Sequence, residues 1–545
     1  MACSSSSSSP ARSSSYVRRR PEKSALHIVV REHLETFLAT VREERGKALP
    51  RYVEQELRRY LQCGILAHGF CRVACWTCGK EILVSYSCKC RGACPSCAAR
   101  RMCGTAAHLV DHVVPHLPVR QWVLTAPHEV RRLLALRPDV LSACNRIFVS
   151  EIARHQKRAS GHDDALTGSV TFVQRFNATL GSFVHFHVVA LDGVVLRKAD
   201  GAVVFHPGPS PTREQIASVA ARVHQRMTKW LRRRKLIDDR PQEDRSNEAP
   251  ELTPIEACMQ LSLSWSPGAT FVHLEDGVAL EPDFDQSHGR ARGKKSPWTA
   301  EVEGFNVHAG VTVREGDREG LERLCRYGAR PPFSLERLSL LADGRVAYLL
   351  RKPRSNGATH LVMTPVQFLA RISALIPPPR FPLLRFAGVL APNAALRPMV
   401  VSMRGAGEND NANAGSEPTA RTAKDARSNN GSQKTKKTKK KSTPSAAERA
   451  APNDTADARV HVHATTSTTS LGAGVVPPCY ARIDWASLLR RVYLEDVLCC
   501  PCGGRRRVVA EVTERDTIVA ILGHLGLETD APRLARARDP TEDAA

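Results

Sequence analysis

Apolar residues recur at helical spacing from Ala25 to Leu61, where Leu26, Val30, Leu34, Phe37, Leu38 and Val41 form one stripe of an amphipathic helix. Farther on, the period shortens. Val119 to Leu124 and Ser169 to Phe176 read as strands, and Phe183 to Leu191 as a third strand joined to the second by the turn signal Asn177 to Gly181. Helical patterns cover Glu129 to Leu136, Ser142 to His155 and Thr212 to Leu236, the last with the basic end Arg232-Arg233-Arg234-Lys235. Residues 238–297 show no period and read as an insertion or long loop. Phe305 to Val313 predicts a strand and Asp317 to Arg326 a helix that Pro331 and Pro332 stop. Short strands follow between Leu335 and Met363, then a helix from Pro365 to Ile376. The mixture predicts an α+β fold with a mostly antiparallel sheet flanked by helices.

Composition divides this pattern into parts. A serine-rich leader (residues 1–24) reads as disordered and, with no apolar segment behind it, does not read as a secretory signal. Residues 25–115 hold the first helix and a cysteine cluster, and residues 116–402 the strands and helices of a larger domain. In residues 403–475 Ala, Ser, Thr, Asn and Lys displace apolar residues, which predicts a disordered basic linker with a lysine run at Lys434 to Lys441. A small C-terminal unit (476–532) and a charged tail (533–545) complete the chain. The net charge of +24 over 545 residues suits a polyanion, with nucleic acid ahead of an anionic membrane surface. No stretch approaches the roughly 18 apolar residues that a membrane span needs.

Seventeen cysteines in a large chain, bunched in close pairs, favour metal ligation in a reducing, intracellular compartment over disulfides. Cys75 with Cys78 and Cys94 with Cys97 form two Cys-x-x-Cys knuckles, enough thiolate for one closed tetrahedral zinc and so for about one zinc per chain. Cys88 and Cys90 complicate this set. Either could replace a knuckle member, or join a second ion with Cys63, Cys71 or Cys103. The window around them is too poor in apolar residues to build its own core, so metal must substitute. Arg100 and Arg101 place positive charge beside it for a phosphate backbone. A later spacing of the same kind, Cys499 to Cys502, cannot close a shell alone. Unless it borrows a distant cysteine, it reads as a turn on Gly503 and Gly504.

In the strand from Phe183 to Leu191, His185 and His187 lie two apart and project from one face, while Val184, Phe186 and Val188 face the other way. That is half of a metal site. The same spacing at His461 and His463 falls in the linker, where nothing holds a strand, and is discounted. Tyr327 lies near the end of its helix among Arg326 and Arg330, cations that could hold a phosphate while the phenol attacks it. Taken alone, either feature also fits an ordinary core residue.

Together these motifs resemble a family. The histidine pair, the tyrosine helix Cys325-Arg326-Tyr327-Gly328-Ala329-Arg330-Pro331-Pro332 and the two-knuckle module are similar to the HUH-superfamily transposases of the insertion sequence ninety-one type. So are Ser87-Cys88-Lys89-Cys90-Arg91-Gly92, Thr359-His360-Leu361 and Gly388-Val389-Leu390-Ala391-Pro392-Asn393. The resemblance covers roughly Leu57 to Met399 and Trp485 to Leu527. It implies a bacterial, nucleoid-associated enzyme that nicks and rejoins single-stranded DNA at transposon ends and at its target. A structural Zn2+ would sit in the cysteine module, and Mg2+ or Mn2+ on His185 and His187, with His308 a candidate third ligand. Founding members carry a second tyrosine four residues before the first, where this chain has Arg323, so it resembles the single-tyrosine relatives. A zinc-dependent DNA-binding protein without catalysis, or a rolling-circle replication initiator or relaxase, would share much of this pattern.

Overall fold

The sheet that carries both histidines has six strands, and every neighbouring pair in it is antiparallel. The computed structural model describes residues 17–237, 270–275, 278–280, 296–403, 483–493 and 496–538. The expected linker, its lysine run and the pair His461 and His463 lie outside the described residues.

In chain order, α1 (Ala25–Arg45) and α2 (Arg51–Leu61) precede the hairpin β1 (Phe70–Cys75) and β2 (Glu81–Ser85) and then α3 (Pro95–His112). Next come β3 (Val119–Thr125), α4 (His128–Leu136), α5 (Pro138–Ser160), β4 (Gly168–Phe176) and β5 (Ser182–Leu191). A small hairpin of β6 (Gly193–Arg197) and β7 (Val203–Pro207) leads to α6 (Arg213–Arg233). The region expected to be an irregular loop contains β8 (Thr270–Glu275) and β9 (Val278–Leu280), and β8 finds its partner in a distant strand. Then follow β10 (Thr299–Val302), β11 (Phe305–Val313), α7 (Arg318–Gly328), β12 (Leu338–Leu340), β13 (Val346–Leu349) and β14 (His360–Met363). The last elements are α8 (Pro365–Leu375), β15 (Leu384–Gly388), α9 (Arg397–Val401), α10 (Trp485–Tyr493), β16 (Arg506–Val512) and α11 (Arg515–His524).

The main sheet runs β10-β11-β3-β5-β4-β15. Its alternation sorts side chains into two cores. Trp122, Leu124, Val184, Phe186 and Val188 pack with α4, α5 and α6 on one face. Val119, Val170, Phe172, Val189 and Leu191 meet α3 and α7 on the other. A second sheet, β12-β13-β14-β8-β9, packs with α1, α2 and α8. The long N-terminal stripe is two helices because Gly46 takes a left-handed φ of +62° and ends α1, and Pro50 precedes α2. Within the expected disordered leader, Pro21 is buried and Ser24 caps α1 by accepting from the His27 backbone.

The expected small C-terminal unit does not stand apart. β16 adds to the edge of β1, giving a sheet of order β16-β1-β2 in the cysteine module. Even the expected tail is engaged: Leu534 packs on the core that α1, α2 and α8 form with the second sheet, and the Ala535 backbone donates to Arg31 O at 3.0 Å. No helix among the described residues is long and apolar enough to cross a membrane.

Candidate functional site

Asn177 shapes the turn between β4 and β5 by accepting from the backbone of Thr179 at 2.9 Å and of Gly181 at 2.8 Å. The hairpin it closes sets the register: Gln174 stands opposite His185, and Phe172 opposite His187. The two imidazoles share a face with ring centroids 4.8 Å apart. His187 is 4% exposed, and neither of its ring nitrogens has a hydrogen-bond partner. The His185 Nδ1 lies 3.0 Å from the Phe183 carbonyl, so a proton there donates to that oxygen and leaves Nε2 free. Burial pushes His185 down to about 4 and His187 to about 3. Both rings are therefore neutral at pH 7, with lone pairs to offer a cation.

The helix α7 brings Tyr327 to them. Its start is capped by Asp317, whose carboxylate accepts from the Gly320 backbone at 2.7 Å, and its buried face presents Leu321, Leu324 and Cys325 to α3 and the sheet. Near its end the helix touches the sheet directly. A Cβ on Gly328 would lie 2.7 Å from the Phe172 ring, so only glycine allows that approach. Gln174 fixes the same point, donating from Nε2 to Tyr327 O at 2.7 Å and to Gly328 O at 3.0 Å. The Tyr327 ring consequently meets the His187 ring edge to face at 5.6 Å, while 42% of the residue stays exposed. Arg330 lies over the same tyrosine ring, 4.6 Å from its centroid.

A cleft beside the tyrosine is lined by Gln174, Arg175, Arg330, Arg91 and Arg101. Arg175 is buried with Nε and Nη1 unpartnered, its Nη2 donating to Ala135 O, and burial pushes it down to about 10. Of the basic residues expected to meet nucleic acid, Arg101 and Arg330 line this cleft. Arg100 is exposed elsewhere, and Arg326 is paired with Glu322 on its own helix. His308 lies on the histidine face with Val123 of β3 between it and His187, about 10 Å of backbone at the usual strand spacing. Gln174 and Gly328 carry no motif. The signals for them were a lone amide in an apolar strand and a glycine beside the tyrosine inside a helix.

The cysteines converge differently from the sequence expectation, because the sulfurs of the two knuckles fall in separate groups. Cys94 and Cys97, at the start of α3, meet Cys63 and Cys88, whereas Cys75 and Cys78, in the β1–β2 turn, meet Cys500 and Cys502. In the first group the Sγ atoms of Cys63 and Cys97 are 3.7 Å apart, those of Cys88 and Cys97 3.6 Å, and those of Cys63 and Cys94 3.7 Å. Thiolates at about 2.3 Å from a tetrahedral zinc stand about 3.8 Å apart, and a disulfide needs about 2.05 Å. The buried first group therefore fits zinc. Glu56 supports its loop by accepting from the Arg91 and Gly92 backbones at 2.8 and 3.1 Å.

Two family models match the chain. One described as "Putative transposase" covers residues 168–396 and spans both histidines and the tyrosine. The other, described as "Transposase zinc-binding domain" of the insertion sequence ninety-one type, covers residues 29–126. No curated protein and no solved structure matches it.

Proposed function

Since the chain belongs to the transposases of the insertion sequence ninety-one type and so processes DNA, we propose that it cuts and rejoins single strands at transposon ends through Tyr327. The observation that carries this reading is the Tyr327 ring lodged against His187, itself beside His185. In the forward step the Tyr327 Oη bonds to phosphorus as the bond from phosphorus to the 3′ oxygen breaks. The phenolic proton leaves, and the departing 3′ oxygen gains one. The products are a 5′-phosphotyrosine and a free 3′ hydroxyl, and the reverse reaction rejoins a strand without a nucleotide cofactor.

The unpartnered nitrogens of His187 and the free Nε2 of His185 fit a divalent cation such as Mg2+ or Mn2+, which when bound would polarise the scissile phosphate. His308 is the histidine on the same face available to complete that shell, although Gln174, directly opposite His185, is nearer. Gln174 and Gly328 hold the tyrosine helix on the sheet, and Arg330 sits over the nucleophile's ring, where it can pair with phosphate. The cleft lined by Arg91, Arg101 and Arg175 offers the path for the strand.

The full chain, mixed with manganese and single-stranded oligonucleotides drawn from the DNA flanking its gene, should form a covalent protein–DNA adduct resolved by denaturing electrophoresis. Tyr327→Phe should abolish that adduct. Equal adduct from the variant would remove Tyr327 as the nucleophile.

A further inference from the structure

The second sulfur group joins parts of the chain that local spacing does not connect. Cys75 and Cys502 are 427 positions apart with Sγ atoms 3.6 Å from each other, and Cys78 and Cys500 are 422 apart with the same separation. We propose that these four cysteines hold a second structural zinc as a tetrathiolate, and that this ion fastens the returning C-terminal segment to the N-terminal cysteine module. The inference stands independently of the strand-transfer chemistry proposed for Tyr327.

Three observations besides the sulfur geometry converge on it. Both halves are built as turns whose sulfurs face each other: Gly79 N donates to Cys75 O at 2.9 Å, and Cys500 N donates to Gly504 O at 2.8 Å. The turns are fitted to each other, since a Cβ on Gly504 would lie 2.3 Å from the Thr77 Oγ1 and 2.9 Å from the Cys75 Sγ. A side chain there would push the two loops apart. Finally, β16 leaves the Cys500–Cys502 loop and pairs directly with β1, with Arg506 opposite Cys75. Behind this sheet the apolar cluster is small, with Leu66, Phe70, Val512, Ile518 and Leu522 as its buried members. Such a core is a weak fastening by itself, and a metal shell replaces what it lacks.

Two disulfides do not explain the arrangement, because 3.6 Å is far beyond the roughly 2.05 Å of a sulfur–sulfur bond. Four protein ligands leave no position for water, so the ion is structural. The local Cys-x-x-Cys spacing nominates Cys499 as a ligand, but the converging atoms are those of Cys500 and Cys502.

Elemental analysis of the purified full chain should find two zinc ions per chain, and X-ray absorption at the zinc edge should fit four sulfurs per ion. Cys500→Ser combined with Cys502→Ser should lower the count to one, with sulfur-only coordination kept by the ion that remains. Cys499→Ser should keep both. One zinc in the unmodified chain, two in the double variant, or loss of an ion in Cys499→Ser would each overturn the assignment. If the double variant does not fold by circular dichroism, the count and coordination of the unmodified chain decide the matter.

Discussion

Tyr327 is held in place by two neighbours. Gly328 lets its helix lie against Phe172, and Gln174 donates to the carbonyls of both Tyr327 and Gly328. In Gly328→Ala the new methyl must displace either the ring or the helix, which overpacking places at about 1–3 kcal/mol of stability. Denaturant unfolding should show that loss, and adduct formation with single-stranded DNA should slow. Unchanged stability and rate would mean that the helix does not depend on this contact. His185, His187 and Tyr327, which the structure brings side by side, were nominated in the sequence only in combination, because each alone also fits a core residue. Gln174 acts across 153 positions of sequence, and no local pattern records such a contact. Gly328 left a fainter trace, since a helical glycine costs about 1 kcal/mol and calls for a packing reason.

At the scale of elements, α1 and α2 show how a legible stripe can hide a titrating group. His27 is buried between them, with Nε2 3.2 Å from Leu61 O and Nδ1 unpartnered. Burial pushes its pKa below the ordinary value of 6.5. The unfolded chain therefore takes up a proton that the folded chain refuses. Stability from this source is complete above about pH 6.5 and declines as the pH falls toward the folded value, by at most about 1.4 kcal/mol per pH unit. Melting temperatures of the full chain should fall between pH 7 and 5, and His27→Gln should flatten part of that slope. His155, also pushed down by burial, would retain a share. A slope unaltered in the variant would remove His27 from the account. Helices α4 to α8 and the strands β3, β4, β5 and β11 followed from periodicity, whereas α3, hidden in the cysteine cluster, and the edge strands β10 and β15 did not. Nor did β8, whose partner β14 lies some ninety residues later and whose own neighbourhood is polar. The cysteine groups differ from the spacing for the same physical reason: spacing pairs cysteines that are close in sequence, whereas convergence depends on how strands pair.

For the whole molecule, the residues after the linker tie several parts together. β16 completes the cysteine sheet, and Arg491 pairs with Asp111 of α3 and with Glu322 of the tyrosine helix. Arg538 reaches α1, its backbone donating to the Thr36 Oγ1 at 3.0 Å. A chain ended before Arg482 should bind one zinc in place of two and, with the edge of β1 unpaired, should self-associate in size-exclusion chromatography. A monomeric truncation that keeps both ions would contradict this. The distance between the two halves of the sulfur cluster also has a consequence in time. As the ribosome extends the chain, Cys78 waits through 422 further residues before Cys500 exists, so this joint is among the last that the newborn protein can close. Premature termination or damage to the message anywhere in that interval leaves the knuckle half-built, and the fold itself then distinguishes finished copies from unfinished ones.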